Sequence, residues 1–226
     1  MTMMKQYICS EKIPIDDVVD RLYDFSALGA LSIPHVLTEA AQQELLEGIL
    51  SAQPLFSKVQ RELGEVIQEM ETVYMQKVAD KIPFFPLFEQ RINQLQKEYL
   101  LIYQKIADKA SFTEKTFNSV GVHHYPIGSA GITPHQDFSS DINLIASFVV
   151  AGNAPFFVCS NREKAHALEL KASPGTLILM RAARTKEEQK KRPFHYLVGP
   201  ITEERYSILI RTRTKINQEG KETRYY

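Results

Sequence analysis

Apolar residues follow two different periods along this chain, and the change falls near residue 114. Ahead of it the spacing is helical. Thr38 is placed to cap a helix over 39–50, and a second helical stretch is expected from about Phe56. After Pro86 the positions Phe88, Ile92, Leu95, Tyr99, Ile102 and Ile106 recur at three- and four-residue steps, the mark of one buried helix face. Residues 32–38 read as a short strand and turn. Pro83-Phe84-Phe85-Pro86 interrupts the helices and reads as a hinge or lid tip.

Beyond residue 114 the apolar runs shorten and turn residues separate them. Strands are expected over 117–125, 143–151, 155–159, 167–170, 177–180 and 194–198, with Pro174-Gly175 and Gly199-Pro200 as turns. In the last strand, from 205, Arg205, Ser207, Leu209 and Arg211 share one face and Tyr206, Ile208 and Ile210 the other. Helices followed by strands predict an α+β fold with an antiparallel sandwich or barrel. No linker or repeat divides the chain, so one domain is expected over 1–226, mainly helical over 1–113 and strand-rich over 114–226.

Composition narrows the class without naming a chemistry. With 226 residues, 44% hydrophobic and 24% charged, the chain can bury a substantial core, and no apolar run is long enough to span a bilayer. The first twenty residues mix Lys5, Glu11, Lys12, Asp16 and Asp17, without a signal-peptide core, and a cytoplasmic location is the expectation. Cys9 and Cys159 suggest no disulfide framework, and Cys159 reads as a small buried hydrophobe. Zero formal net charge gives no global attraction to nucleic acid or membrane. One basic stretch, Arg181, Arg184, Lys186, Lys190, Lys191 and Arg192, is read as a solvated connector rather than an anion-binding rim.

The candidate chemistry lies in the strand-rich part. His135-Gln136-Asp137 places two donors at i and i+2, which share a side of an extended strand while Gln136 points away. His195, on the expected 194–198 strand, supplies a second imidazole. Two histidines and a carboxylate with open positions are the ligand set of non-heme Fe(II) oxygenases. Arg205, Ser207 and Arg211, in phase on one strand face, suit a dicarboxylate, because guanidinium stays charged and matches a carboxylate with two parallel donors. His123 and His124 point to opposite faces, and His123 shares parity with Tyr125.

These motifs resemble the Fe(II)/2-oxoglutarate-dependent dioxygenases built on a double-stranded β-helix. The order His135-x-Asp137, His195, Arg205-x-Ser207 carries the likeness. It is closest to the AlkB-like branch, in which a Tyr-x-x-Gly turn precedes His-Gln-Asp, as Tyr125-Pro126-Ile127-Gly128 does here, and a second arginine follows the first by six positions, as Arg211 does. The resemblance implies a jelly-roll core with an N-terminal helical buttress, His135, Asp137 and His195 as iron ligands, and Fe(II), 2-oxoglutarate and O2 as cofactor and co-substrates. It places Arg205, Ser207 and Tyr125 at the distal carboxylate of 2-oxoglutarate and Arg211 near its 1-carboxylate. His123 and Ser207 stand where AlkB relatives carry asparagines. The implied activity is hydroxylation or oxidative demethylation. A small-molecule substrate is favoured by neutral charge; the alternatives are an AlkB-like demethylase of nucleic acid or protein and a non-catalytic relative that binds metal or ligand.

Overall fold

The computed structural model describes residues 6–24, 28–63, 66–75, 85–183, 188 and 192–214. Helix α2 (Glu39–Ser51) starts at the expected cap, where the Thr38 hydroxyl accepts from the Ala41 amide at 3.1 Å and satisfies a donor that the first turn cannot. Helix α3 (Pro86–Lys109) buries all six residues of its apolar stripe, and Pro86 sits at its start, where a missing N–H costs nothing. The expected hinge falls partly outside the described residues, since 83 and 84 are not among them. One helix was not anticipated. In α1 (Ile15–Tyr23), Asp16 and Asp17 occupy the first turn, Val18, Val19 and Leu22 are buried, and Arg181 Nη1 donates to the Leu22 carbonyl at 3.2 Å, placing a cation at the carbonyl end.

The second expected helix, from Phe56, is instead a β-hairpin. Strands β2 (Ser57–Leu63) and β3 (Val66–Tyr74) pair antiparallel, with Lys58 opposite Glu71 and Val59 opposite Met70. Around 66–73 the alternation is that of a strand: Val66, Met70 and Thr72 turn one way, Glu69 and Glu71 the other, and the Thr72 hydroxyl donates to the Val122 carbonyl at 2.9 Å. Pairing with a neighbouring strand decides the outcome where the local pattern suits either structure. The part before residue 114 is therefore helical and extended by turns, its first strand being β1 (Ala30–Ile33).

The remaining strands are β4 (Ser119–Tyr125), β5 (Gly131–His135), β6 (Asp141–Ala151), β7 (Phe156–Cys159), β8 (Leu168–Leu170), β9 (Leu177–Arg181), β10 (Phe194–Val198) and β11 (Arg205–Arg213). Hydrogen bonding runs in the order β1-β9-β6-β11-β4-β3-β5-β10-β7-β8, with β2 attached to β3. This is a double-stranded β-helix, a jelly roll: β9-β6-β11-β4 form one wall, β5-β10-β7-β8 the other, and β3 bonds to both β4 and β5 along one seam. Two cores follow from strand parity. Phe148, Leu177, Leu179, Ile208 and Ile210 pack outward against the helices with Phe88, Ile92 and Tyr99. Ile145, Val149, Ile178 and Met180 face inward against Ile132, Phe156, Val158 and Leu197. Cys159 is buried and both cysteines are free thiols. Among the described residues no helix is long and apolar enough to cross a membrane.

Candidate metal centre

Backbone pairing brings the two histidines together. In the β5–β10 ladder His135 lies directly opposite His195, and their rings sit 4.2 Å apart. Gly131 makes this approach possible. Its φ is +72°, and a Cβ there would lie 2.5 Å from the Leu197 carbonyl oxygen, so a side chain would push β5 off β10 at the end of the same ladder.

Asp137 does not lie on the strand. β5 ends at His135, so the expected sharing of a strand face does not explain how the carboxylate reaches the site. A turn closed by the Asp141 amide donating to the Phe138 carbonyl at 3.0 Å, together with Arg211, carries it back. Arg211 Nη2 is 3.3 Å from Asp137 Oδ1, and Asp137 Oδ2 is 3.5 Å from His195 Nε2. One donor atom from each of His135, Asp137 and His195 then falls within 4.8 Å of the others. Gln136 turns away from this group, and its side-chain amide donates to the Arg192 carbonyl.

The chemistry of the donors suits a divalent metal. His135 Nδ1 lies 3.0 Å from the Thr133 carbonyl, which can only accept, so that nitrogen carries the proton and Nε2 keeps a lone pair for the metal. Burial, reinforced by His135 nearby, pushes the His195 imidazole down to about 3, and burial lowers His135 as well. Burial raises the Asp137 carboxyl, but Arg211 and the neighbouring imidazoles outweigh it and hold the group well below the usual carboxylate range. Neutral imidazoles and a charged carboxylate are the protonation states in which these groups ligate. Asp137 Oδ2 makes no hydrogen bond within the protein, leaving it available to an ion.

Strand β11 aims Arg205 into the same interior. Arg205 is 1% exposed; Nη1 donates to the Ala172 carbonyl at 3.0 Å, while Nε has no hydrogen-bond partner. Burial without a facing carboxylate lowers its pKa to about 10. Tyr125 lies opposite Arg205 in the β4–β11 ladder and Ser207 opposite His123, all four buried. A buried guanidinium that lacks a counter-ion is what an incoming carboxylate would satisfy, so these residues fit 2-oxoglutarate. Arg211 is already engaged: besides Asp137 it approaches Asp141 Oδ2 at 4.0 Å, and Asp141 Oδ1 accepts from Arg213 Nε at 2.7 Å.

Two residues were not marked by their sequence as members of this site. Asp141, fully buried, has no motif of its own. Arg192 was read as part of the basic connector, and its neighbours at 184–187 and 189–191 lie outside the described residues. His123 has the inward parity expected of it, with a buried Nε2 that no protein group meets. His124 belongs elsewhere: its ring stacks on Tyr206 with 4.3 Å between centroids and bonds Glu71 and Glu204 on the outer face.

Burial holds His123 and His195 neutral down to about 3 from an ordinary 6.5, so both must shed a proton for the metal-free protein to fold. The stability they allow is complete above about 6.5 and lost as the pH falls towards 3. Thermal melts of metal-free protein at a series of pH values should therefore show the melting temperature falling progressively through that window. A flat profile would contradict the buried, neutral state of these imidazoles.

No protein-family model and no curated protein sequence matches this chain. Solved structures do. A Pseudomonas putida prolyl-4-hydroxylase aligns with a TM-score of 0.58 at 14% identity, covering 88% of this chain and 98% of that one. A Trichoplax adhaerens prolyl hydroxylase, solved with a peptide of the hypoxia inducible factor oxygen degradation domain, gives 0.56 at 13% identity over 93% and 94%. The epimerase SnoN, solved with Fe3+, alpha ketoglutarate and nogalamycin RO, gives 0.62 at 11% identity over 87% and 82%. Nothing in these similarities singles out the AlkB-like branch. At such identities the likeness is one of fold, and the chain has the double-stranded β-helix fold in common with these hydroxylases and this epimerase.

Proposed function

We propose that this protein is a non-heme Fe(II)- and 2-oxoglutarate-dependent dioxygenase that hydroxylates a small molecule. The observation that carries the reading is the convergence of His135, Asp137 and His195 inside the jelly roll, with the counter-ion-less Arg205 turned into the same interior. When bound, Fe(II) couples the oxidative decarboxylation of 2-oxoglutarate by O2, to succinate and carbon dioxide, with oxidation of a substrate C–H bond.

The chain's own part is to hold and orient. His135, Asp137 and His195 would hold the ion with three protein donors, a set that leaves room for co-substrates. Arg205, backed by Tyr125 and Ser207, pairs with the distal carboxylate of 2-oxoglutarate. Arg211 keeps Asp137 ionised and aimed at the metal. The inward-facing Ile145, Val149, Ile178 and Met180 exclude water, which strengthens each charged contact. Zero net charge supports a small-molecule substrate over a polyanion.

Anaerobic addition of Fe(II) and 2-oxoglutarate should produce the visible charge-transfer band of the ternary complex. In air, succinate release should then rise with the right compound in a screen of metabolites, methylated nucleic acids and peptides. Absence of the band rejects the proposal. A response to methylated nucleic acid or peptide alone would replace the small-molecule reading with a demethylase.

A further inference from the structure

We propose that Arg192 and Gln136 act as positioning residues for the metal centre, forming a reciprocal clamp that fixes the backbone carrying Asp137 against the segment leading into His195; this rests on the metal-binding reading above. The three donors are not held alike. His135 and His195 face each other across a β-ladder, whereas Asp137 lies past the end of β5 on a connection with no strand partner among the described residues. Something other than the sheet must place its backbone.

Arg192 does so from one side. Its Nη1 donates to the Asp137 carbonyl at 2.6 Å and the Phe138 carbonyl at 3.1 Å, and Nη2 to Gln136 Oε1 at 3.5 Å. Gln136 answers from the other side, its amide donating to the Arg192 carbonyl at 2.7 Å. Nη1 alone meets both adjacent carbonyls while Nη2 turns to Gln136, so two nitrogens of one rigid plane grip the segment at three points, where an ammonium offers a single nitrogen. Only Pro193 and Phe194 separate Arg192 from His195, and Pro193 has a fixed φ, so the clamp carries the Asp137 backbone to within three residues of the second imidazole. Arg211 meanwhile holds the carboxylate itself. One arginine sets where the residue stands and the other where its oxygens point.

Partners of this kind, which touch a ligand but not the metal, characteristically change metal affinity by about tenfold to a hundredfold when removed. Titration of the metal-free protein with Co(II), followed by visible d–d absorption, is the test. Arg192→Ala is expected to bind Co(II) roughly tenfold more weakly with an altered band shape, Arg192→Lys to recover part of the affinity, and Gln136→Ala to lose a few-fold. A purely structural contact would lower the melting temperature without moving the Co(II) spectrum or affinity of the folded protein. Unchanged spectra and affinities in the variants, with normal wild-type binding, overturn the clamp alone. A wild-type protein that binds no Co(II) overturns the metal centre, and the clamp with it. Should Arg192→Ala fail to fold, Gln136→Ala, which leaves the guanidinium in place, decides between the same outcomes.

Discussion

His195→Ala is expected to remove Fe(II) binding and succinate formation together while leaving a folded protein. The loss must exceed the roughly ten- to hundredfold that outer partners cost, because a donor that touches the ion itself disappears and two remain. The geometry makes the loss hard to repair. His195 Nε2 is 3.5 Å from Asp137 and its ring lies along Phe156, so truncation leaves an apolar wall where the imidazole stood. Asp137 is then left to Arg211, which already reaches it at 3.3 Å and would compete with any weakly held ion. The fold survives because the inward core of Ile132, Val158 and Leu197 does not depend on the imidazole. Iron stoichiometry by elemental analysis and succinate by chromatography read the two losses, with His166→Ala, on an exposed loop, as the unaffected control. Retention of stoichiometric iron and turnover in His195→Ala would show that the three donors do not act as one site.

Arg205→Lys separates the co-substrate from the metal. Arg205 is buried with no carboxylate facing it among the described residues, and a carboxylate arriving there gains a charge-assisted, two-point contact. A lysine keeps the charge and offers one point of attachment, at a cost of about 1.5–3 kcal/mol, or roughly tenfold to a hundredfold in affinity for 2-oxoglutarate. Metal binding should be unchanged, since Arg205 contacts none of the ligands. Ser207→Ala, which removes a neutral hydroxyl, should cost less. Titrating 2-oxoglutarate into the anaerobic Fe(II) protein measures each. If Arg205→Lys binds normally and Arg211→Lys does not, the distal carboxylate belongs to Arg211; if neither loses affinity, 2-oxoglutarate is not the co-substrate.

The antiparallel, strand-rich architecture was legible because it rests on short-range periodicity, whereas the jelly-roll core was what the motif resemblance implied. Alternation in 205–211 fixed which residues look inward, and the run at 194–198 placed His195 on a strand, as observed. The stretch from about Phe56 was misread as helical because it offers apolar positions to either period, and the deciding contribution, hydrogen bonding of Thr72 and its neighbours to β4, comes from residues far along the chain. Asp137 was assigned to a strand that stops two residues short of it. Arg192 stayed hidden in the basic run for a different reason: its partners are the carbonyls of Asp137 and Phe138, and a backbone acceptor leaves no mark in the residue sequence. Asp141 is silent likewise, since only the folded chain shows it enclosed between two arginines.

Pairing of His135 with His195 across one ladder ties the metal site to strand alignment in an all-or-none way. Slipping β10 by one residue against β5 would turn His195 to the outer surface and present Phe194 or Tyr196 in its place, since alternate residues of a strand face opposite sides. A bound ion with two imidazoles in its spectrum is therefore also a proofreading signal. It reports that two segments distant in sequence have found their native partners, and it can follow refolding or the selection of stabilised variants without any knowledge of the substrate.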